Sequence, residues 1–339
     1  SRIIALDEVT TALSIEETEK IYRIMRNQKS SGQSFIYVSH EIDEIFQICD
    51  SATVIRDGEV VLDEKISNIT PEDLRRAIVG RELEVVHHKR CVSGSERTEV
   101  ILSMENVFNQ KLKNVSFKLC KNEILGVYGL RGSGRTEFAL SLFGLNKPDS
   151  GKILVNSKVV NINSPQEAIK LGISYLPEDR YTQGLFLQQS TEDNIVVTIL
   201  KEFLNKLRFV NMIKKSNTAI RWAEELKIKT ASLNTSVETL SGGNQQRVVL
   251  AKWLATNPKI FILDCPTIGI DIASKAEIYK IIRGLTSLGM GIIVISDEIS
   301  EVLYNCNRIL IMRDGKIINK INAENLTEDK LYNIVSGVN

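Results

Sequence analysis

The residues best equipped for chemistry lie in a glycine-rich stretch, Gly129-Leu130-Arg131-Gly132-Ser133-Gly134-Arg135-Thr136. It follows an apolar run, Glu123–Tyr128, read as a strand, and precedes a helix expected from Glu137. The stretch fits the phosphate-loop pattern G-x-x-x-x-G-K-[ST], with Arg135 in the Lys position. Its glycines let backbone N–H groups turn inward around phosphate oxygens. The helix that follows adds its positive N-terminal end. Thr136 is placed to ligate Mg²⁺. Arg135 keeps the cation but presents a planar fork instead of a point charge. Taken alone, an ordinary glycine-rich turn is the competing reading.

Two further motifs strengthen the phosphate-binding reading. Ile260–Asp264 is an apolar strand ending in an acid, and such an Asp binds Mg²⁺ through water in phosphate-loop enzymes. Between it and the loop stands Leu240-Ser241-Gly242-Gly243-Asn244-Gln245-Gln246, with a helix expected over Gln245–Ala255. A Ser and two glycines at a helix start make a second anion-binding end.

These motifs need elements to carry them, and the sequence supplies the order. At an offset of 257, residues 3–80 align with 260–337 without a gap. Ile3-Ile4-Ala5-Leu6-Asp7 matches Ile260-Phe261-Ile262-Leu263-Asp264, and Arg56-Asp57-Gly58 matches Arg313-Asp314-Gly315. An ungapped match of this length indicates two copies of one folded unit. The second copy has about 160 residues of its own before it and the first has none, so the front of the first unit is expected upstream of Ser1. Residues 87–98 are polar and aperiodic and read as a linker. His87, His88 and Cys91 fall there and lack further ligands for a metal site. Ser164-Pro165-Gln166-Glu167 is a capping box, and Thr191–Lys229 reads as mostly helical. Strands at Ile260–Leu263 and Gly291–Ile295 flank a helix over Ser274–Leu288. The alternation predicts an α/β fold with a mainly parallel sheet, antiparallel strands and a helical subdomain.

Composition narrows the function classes. Lys+Arg is 43 against 42 for Asp+Glu, so no basic excess points to nucleic acid. No apolar run approaches the ~18 residues of a membrane span. Five widely spaced cysteines suggest neither a disulfide framework nor a zinc site.

Together the three motifs resemble the Walker A, signature and Walker B motifs of ABC ATPases, which are P-loop NTPases. More narrowly, Gly129–Glu137, Pro177-Glu178-Asp179-Arg180, Gly184-Leu185 and Leu240–Gln246 resemble the second cassette of monosaccharide importers of the ribose, galactose and xylose type. On that resemblance residues 1–86 are the rear of a first cassette, 87–98 a linker, and 99–339 a whole second cassette. It implies ATP and Mg²⁺ as ligands, held by Gly129, Gly132, Ser133, Gly134, Arg135 and Thr136. Ser241, Gly242, Gly243 and Gln245 would cap the nucleotide of a paired cassette, and Thr136, Asp264 and Asp7 would serve Mg²⁺. It implies ATP hydrolysis that drives sugar import by transmembrane permease subunits. A periplasmic or lipoprotein sugar-binding protein would act indirectly, and the chain would sit peripherally on the cytoplasmic face of the membrane.

Carried over residue by residue, the resemblance is asymmetric. Glu8 falls where the first cassette keeps the acid that orients the attacking water, and His40 where a switch histidine contacts the γ-phosphate. Val9 replaces the usual proline. In the second copy Cys265 and Asp297 occupy these places, and neither can do the same work. The second site is therefore expected to bind ATP and hydrolyse it poorly, and this chain alone to be a weak ATPase. A redox role for Cys265 is the alternative. Glu178 lies where many cassettes carry a Gln that senses Mg²⁺. Phe108 is a candidate adenine-stacking residue, with a core Phe as its rival. Competing functions are a nucleoside importer ATPase, an ABC protein acting on ribosomes or DNA, and a truncated, non-catalytic nucleotide-binding remnant.

Overall fold

The computed structural model describes residues 2–7, 9–10, 15–39, 42–56, 58–79 and 99–336. The chain divides into two compact units. The first holds β1 (Ile3–Asp7), α1 (Ile15–Ser30), β2 (Ser34–Val38), α2 (Ile42–Ile48), β3 (Ser51–Arg56), β4 (Glu59–Lys65) and α3 (Pro71–Val79). The second opens with β5 (Val100–Phe108), β6 (Val115–Cys120), β7 (Ile124–Tyr128), α4 (Arg135–Leu142), β8 (Ser150–Val155), β9 (Lys158–Val160), α5 (Pro165–Lys170) and β10 (Ile173–Leu176). Its helical part contains α6 (Thr191–Val196), α7 (Met212–Glu225) and α8 (Gly242–Leu254). It closes with β11 (Ile260–Asp264), α9 (Ile272–Ser287, of which the part from Glu277 on belongs to this unit), β12 (Gly291–Ser296), α10 (Ile299–Asn305), β13 (Arg308–Arg313), β14 (Lys316–Asn322) and α11 (Glu328–Ser336).

In the second unit one sheet runs β10-β11-β12-β7-β13-β14. All of its pairs are parallel except the hairpin β13–β14 at the edge. The parallel strands are apolar without alternation because both faces are covered. Phe261 and Leu263 face a core shared with α6, α7 and α8. Ile260 and Ile262 face another, shared with α4 and a four-stranded antiparallel sheet in the order β6-β5-β8-β9. The expected layers are therefore present, and a parallel sheet covered on both faces presents its carboxyl strand ends as the place for ligands.

The element order β1-α1-β2-α2-β3-β4-α3 repeats as β11-α9-β12-α10-β13-β14-α11. Even the register shift between Val54 and Ile55 returns between Ile311 and Met312. One difference follows from topology. In the second unit β7 lies between β12 and β13 and joins the two strand pairs, whereas in the first β1–β2 and β3–β4 remain separate two-stranded sheets. Apolar side chains on these strands stay exposed: Ile3 is 60% and Ile36 58% accessible, against 1% for Ile260 and 0% for Ile293.

Helix ends follow local chemistry. Ser164 caps α5 by accepting the Glu167 N–H at 3.3 Å, and Pro165 holds the first helical position. The Glu167 carboxylate reaches back to the N–H of Asn163, one residue beyond the capping-box partner. The span 191–229 is helical only in pieces. Asn205 accepts the N–H groups of Leu207 and Phe209, closing a tight turn, and Asn211 then caps α7 by accepting the Lys214 N–H at 3.0 Å. These side-chain bonds compete successfully with a continuous helix.

Candidate functional site

The loop after β7 is built as a cradle. Gly134 has φ +101° and caps α4, so the helix begins at Arg135, two residues earlier than expected from the sequence. A Cβ on Gly129 would collide with the Met312 carbonyl oxygen and would sit 2.6 Å from Ser133 Oγ. One on Gly134 would lie 3.2 Å from Gly315 Cα. Gly315 in turn donates its N–H to the Ser133 carbonyl at 2.9 Å and accepts the Lys113 N–H at 2.8 Å. The turn is thus pinned from beneath by the β13–β14 hairpin. Ser133 Oγ is buried with no hydrogen-bond partner, an orphan that a phosphate oxygen would satisfy.

The carboxyl ends of β7, β11 and β12 are adjacent because these strands run parallel in register. Arg135 bridges them: its Nη1 donates to the Ser296 carbonyl at 2.5 Å. Asp264 ends β11, is 1% exposed, and accepts the Tyr175 hydroxyl at 3.1 Å. Burial, with Glu178 and Asp297 adding like charge against Tyr175 and Arg135, pushes its carboxyl up to about 7. A buried carboxylate so disfavoured in its charged form is suited to a cation, which would restore its ionisation. The fit to Mg²⁺ with Thr136 at the start of α4 therefore rests on this strained acid. Without the cation the charge costs stability. The fold holds the Asp264 proton more tightly than the unfolded chain does between pH 3.8 and about 7. The penalty is therefore absent below that window, grows through it and is complete above it. Asp264→Asn should accordingly stabilise the ligand-free chain at pH 8 by on the order of 2–4 kcal/mol and leave it unchanged near pH 4. Urea melts at both pH values check this.

Cys265 follows with φ +46° and is buried. Burial, then Asp264, Asp297 and Glu178, push its thiol far above the ordinary range. Burial thus holds the thiol in its protonated form, whereas the thiolate is the reactive one. Asp297 is exposed just past β12. Asp7 ends β1 in the first unit, while Glu8 and His40 lie outside the described residues, as do His87, His88 and Cys91.

Ser241 is exposed at the N-terminus of α8, where its Oγ accepts the Asn244 side-chain amide at 2.9 Å. Gly242 and Gly243 open the helix beside it. Gln245 departs from the expectation that it faces a nucleotide. It is 5% exposed, and its amide donates inward to the Val237 carbonyl at 3.2 Å. One turn into α8, that side chain points to the core, where its polar end needs protein partners. Phe108 is half-exposed at the end of β5. The next residue, Asn109, is buried and ties this end to α4 through the Ser141 hydroxyl at 2.9 Å.

Two positioning groups escaped sequence reasoning. Arg180 is buried, and its guanidinium donates to the carbonyls of Ile268 at 2.6 Å and Gly269 at 2.9 Å, beside Gly242. It fixes the loop after Cys265 against the start of α8. Glu301 is buried and accepts the hydroxyls of Thr267 and of Ser296, the latter at 2.6 Å, so it ties that loop to the end of β12. The first unit has the same hub: Glu44 accepts from Thr10 at 2.9 Å, Tyr37 at 2.7 Å and Ser39 at 2.9 Å. The signal was available, since Thr10, Ser39 and Glu44 recur at the 257 offset as Thr267, Ser296 and Glu301. Glu301→Ala should destabilise the chain by about 2–4 kcal/mol by stranding buried hydroxyls, and Glu301→Gln by less. Denaturant midpoints decide it.

A family profile described as ABC transporter matches residues 112–268. The ribose import ATP-binding protein of Clostridium tetani is 42% identical over 332 residues, covering 98% of this chain and 65% of that protein. The xylose import ATP-binding protein of Thermoanaerobacter pseudethanolicus is 40% identical over 343 residues, covering 99% and 68%. The chain thus spans about two thirds of the length of these curated relatives. A nucleotide-free ATP-binding cassette from an ABC transporter shares the fold, with TM-score 0.58 and 23% identity over 70% of this chain and 95% of the other.

Proposed function

The chain belongs to the ATP-binding proteins of the ABC transporter family, and on that premise we propose that its second unit is a cassette that binds Mg²⁺·ATP to energise monosaccharide import. The observation that carries the reading is the cradle itself: glycines where a Cβ collides, closing around a buried, unpartnered Ser133 hydroxyl. The amides of Gly132, Gly134, Arg135 and Thr136, the Ser133 hydroxyl and the Arg135 guanidinium would hold the phosphates, while the Ser133 N–H closes the turn on the Leu130 carbonyl. Thr136 and Asp264 would hold the metal, which would supply charge neutralisation for the bound phosphates. Phe108 stacks on the base. The exposed Ser241 helix start offers its amides to the nucleotide of a paired cassette.

The chemistry at this site is slow. A protonated Cys265 cannot take a proton from water, and Asp297 repels phosphate. We read the first unit as the rear half of another cassette, with Asp7, Glu8 and His40 as its metal, base and switch residues. The support is the shared element order and the apolar strand faces left exposed in that unit. The partners are transmembrane permease subunits, with a sugar-binding protein acting through them, at the cytoplasmic face of the membrane. Relatives named for ribose and xylose import favour a monosaccharide over a nucleoside.

Calorimetric titration tests the binding step. Mg²⁺·ATP should bind with Kd below about 1 mM, and AMP, which lacks the phosphates that the cradle grips, should bind at least about tenfold more weakly. No uptake at millimolar Mg²⁺·ATP would overturn the reading.

A further inference from the structure

The stretch 201–215 departs from the charge balance of the whole chain. It carries Lys201, Lys206, Arg208, Lys214 and Lys215 against the single acid Glu202, in a chain of net charge +1. Lys215 is used internally, paired with Glu192 and Asp193. The others stand on the surface with exposed apolar side chains between them: Leu207 is 77%, Phe209 68%, Met212 60% and Ile213 76% accessible.

The backbone that presents them is fixed. Leu204 and Val210 pair as an antiparallel bridge. Arg208 occupies φ +64°, and its N–H donates to the Asn205 carbonyl at 2.9 Å. The Asn211 N–H donates to the Phe203 carbonyl at 2.8 Å, so the turn is stapled at its base. Beneath it Phe203 and Ala219 belong to the core. Beside it a cleft of about 500 Å³ is lined by Asn211, Ile213, Lys214, Asn217, Thr218 and Arg221.

Large apolar side chains alternating with cations on an exposed, pre-ordered turn suit the boundary between lipid headgroups and acyl chains. The apolar groups enter the boundary, the cations meet anionic headgroups, and long basic side chains reach back to the polar layer. An acyl boundary costs such a turn little ordering entropy, because the conformation is already set. We propose that the turn Leu204–Ile213 is a contact site for an anionic lipid bilayer, which seats the helical part of the second unit on the membrane surface. The surface lies outside the nucleotide site and does not depend on that site's assignment.

Flotation of the whole chain with vesicles of phosphatidylcholine and phosphatidylserine in equal amounts tests this. The chain should float with these vesicles and not with phosphatidylcholine alone, and rising salt should release it. Leu207→Ser with Phe209→Ser should weaken partitioning about tenfold, and Lys206→Gln with Arg208→Gln by a similar factor. These side chains are solvent-exposed, so an unchanged circular-dichroism spectrum and thermal midpoint serve as the folding control. In Phe209→Trp, the added indole emission should shift to the blue on the mixed vesicles and be quenched by brominated acyl chains. Equal flotation with both vesicle types, variants that float like the parent, or an added indole emission indifferent to lipid overturns the proposal. So does a variant that loses only its association with a permease, which assigns the patch to a protein partner instead.

Discussion

Gly134→Val should lower affinity for Mg²⁺·ATP by at least about 100-fold while reducing the thermal midpoint by only a few degrees. The residue stands at φ +101°, and a Cβ there would sit 3.2 Å from Gly315 Cα, so a side chain is strained and also pushes against a backbone that cannot retreat. Gly315 is held by hydrogen bonds from its N–H to the Ser133 carbonyl and from the Lys113 N–H to its own carbonyl, so it cannot relax away. The phosphate-facing amides must turn, and each lost charge-assisted hydrogen bond is worth roughly 1.5–3 kcal/mol. Gly32→Ala is the matched control. Gly32 has φ +88° and open space around it, so that variant carries the backbone strain without disturbing the cradle. Calorimetry on the two variants separates phosphate binding from general destabilisation.

The second large effect is a gain. Replacing Cys265 by Glu and Asp297 by His should raise phosphate release at this site by about 100-fold, within the ~10²–10⁴ attributed to a positioned base. The pair is needed together. A Glu at 265 alone joins Asp264, Asp297 and Glu178, which already oppose ionisation there. Removing the Asp297 charge relieves that repulsion and supplies a donor toward phosphate. The left-handed backbone at 265, φ +46°, is unchanged by the substitution because neither side chain alters the bond to the Ile295 carbonyl at 2.9 Å. Steady-state phosphate release from the double variant, with Asp264→Asn as the blank, gives the answer. A double variant no faster than the parent shows that Cys265 and Asp297 are not what limits the site.

Much of this was legible in the residues. The strand–loop–helix around Gly129–Thr136, the Asp that ends β11, and the helix start at Ser241 all announce themselves through local signals: glycine, apolar runs and helix-start residues. The repeat at an offset of 257 carried the topology from one copy to the other. What escaped depends on tertiary neighbours. Gln245 looks polar and available in sequence, yet α8 rotates it into the core beneath Arg180. Arg180 itself gives no sign that its guanidinium is taken up by two carbonyls. Nor does a window average distinguish the turn at Asn205 from helix, because the deciding bonds run from one amide side chain to backbone two and four residues on. The separation of the first unit's strand pairs could not be read from that unit, since it follows from the place β7 takes in the second.

Amide hydrogen exchange at residues 129–137, with and without Mg²⁺·ATP, bears most directly on the grip itself. The amides of Gly132, Gly134, Arg135 and Thr136 should slow markedly on addition of nucleotide and return to their free rates in Gly134→Val, with the Ser133 amide, already bonded to the Leu130 carbonyl, as the internal reference. Unchanged exchange across this turn under saturating Mg²⁺·ATP would place the phosphates elsewhere and contradict the account.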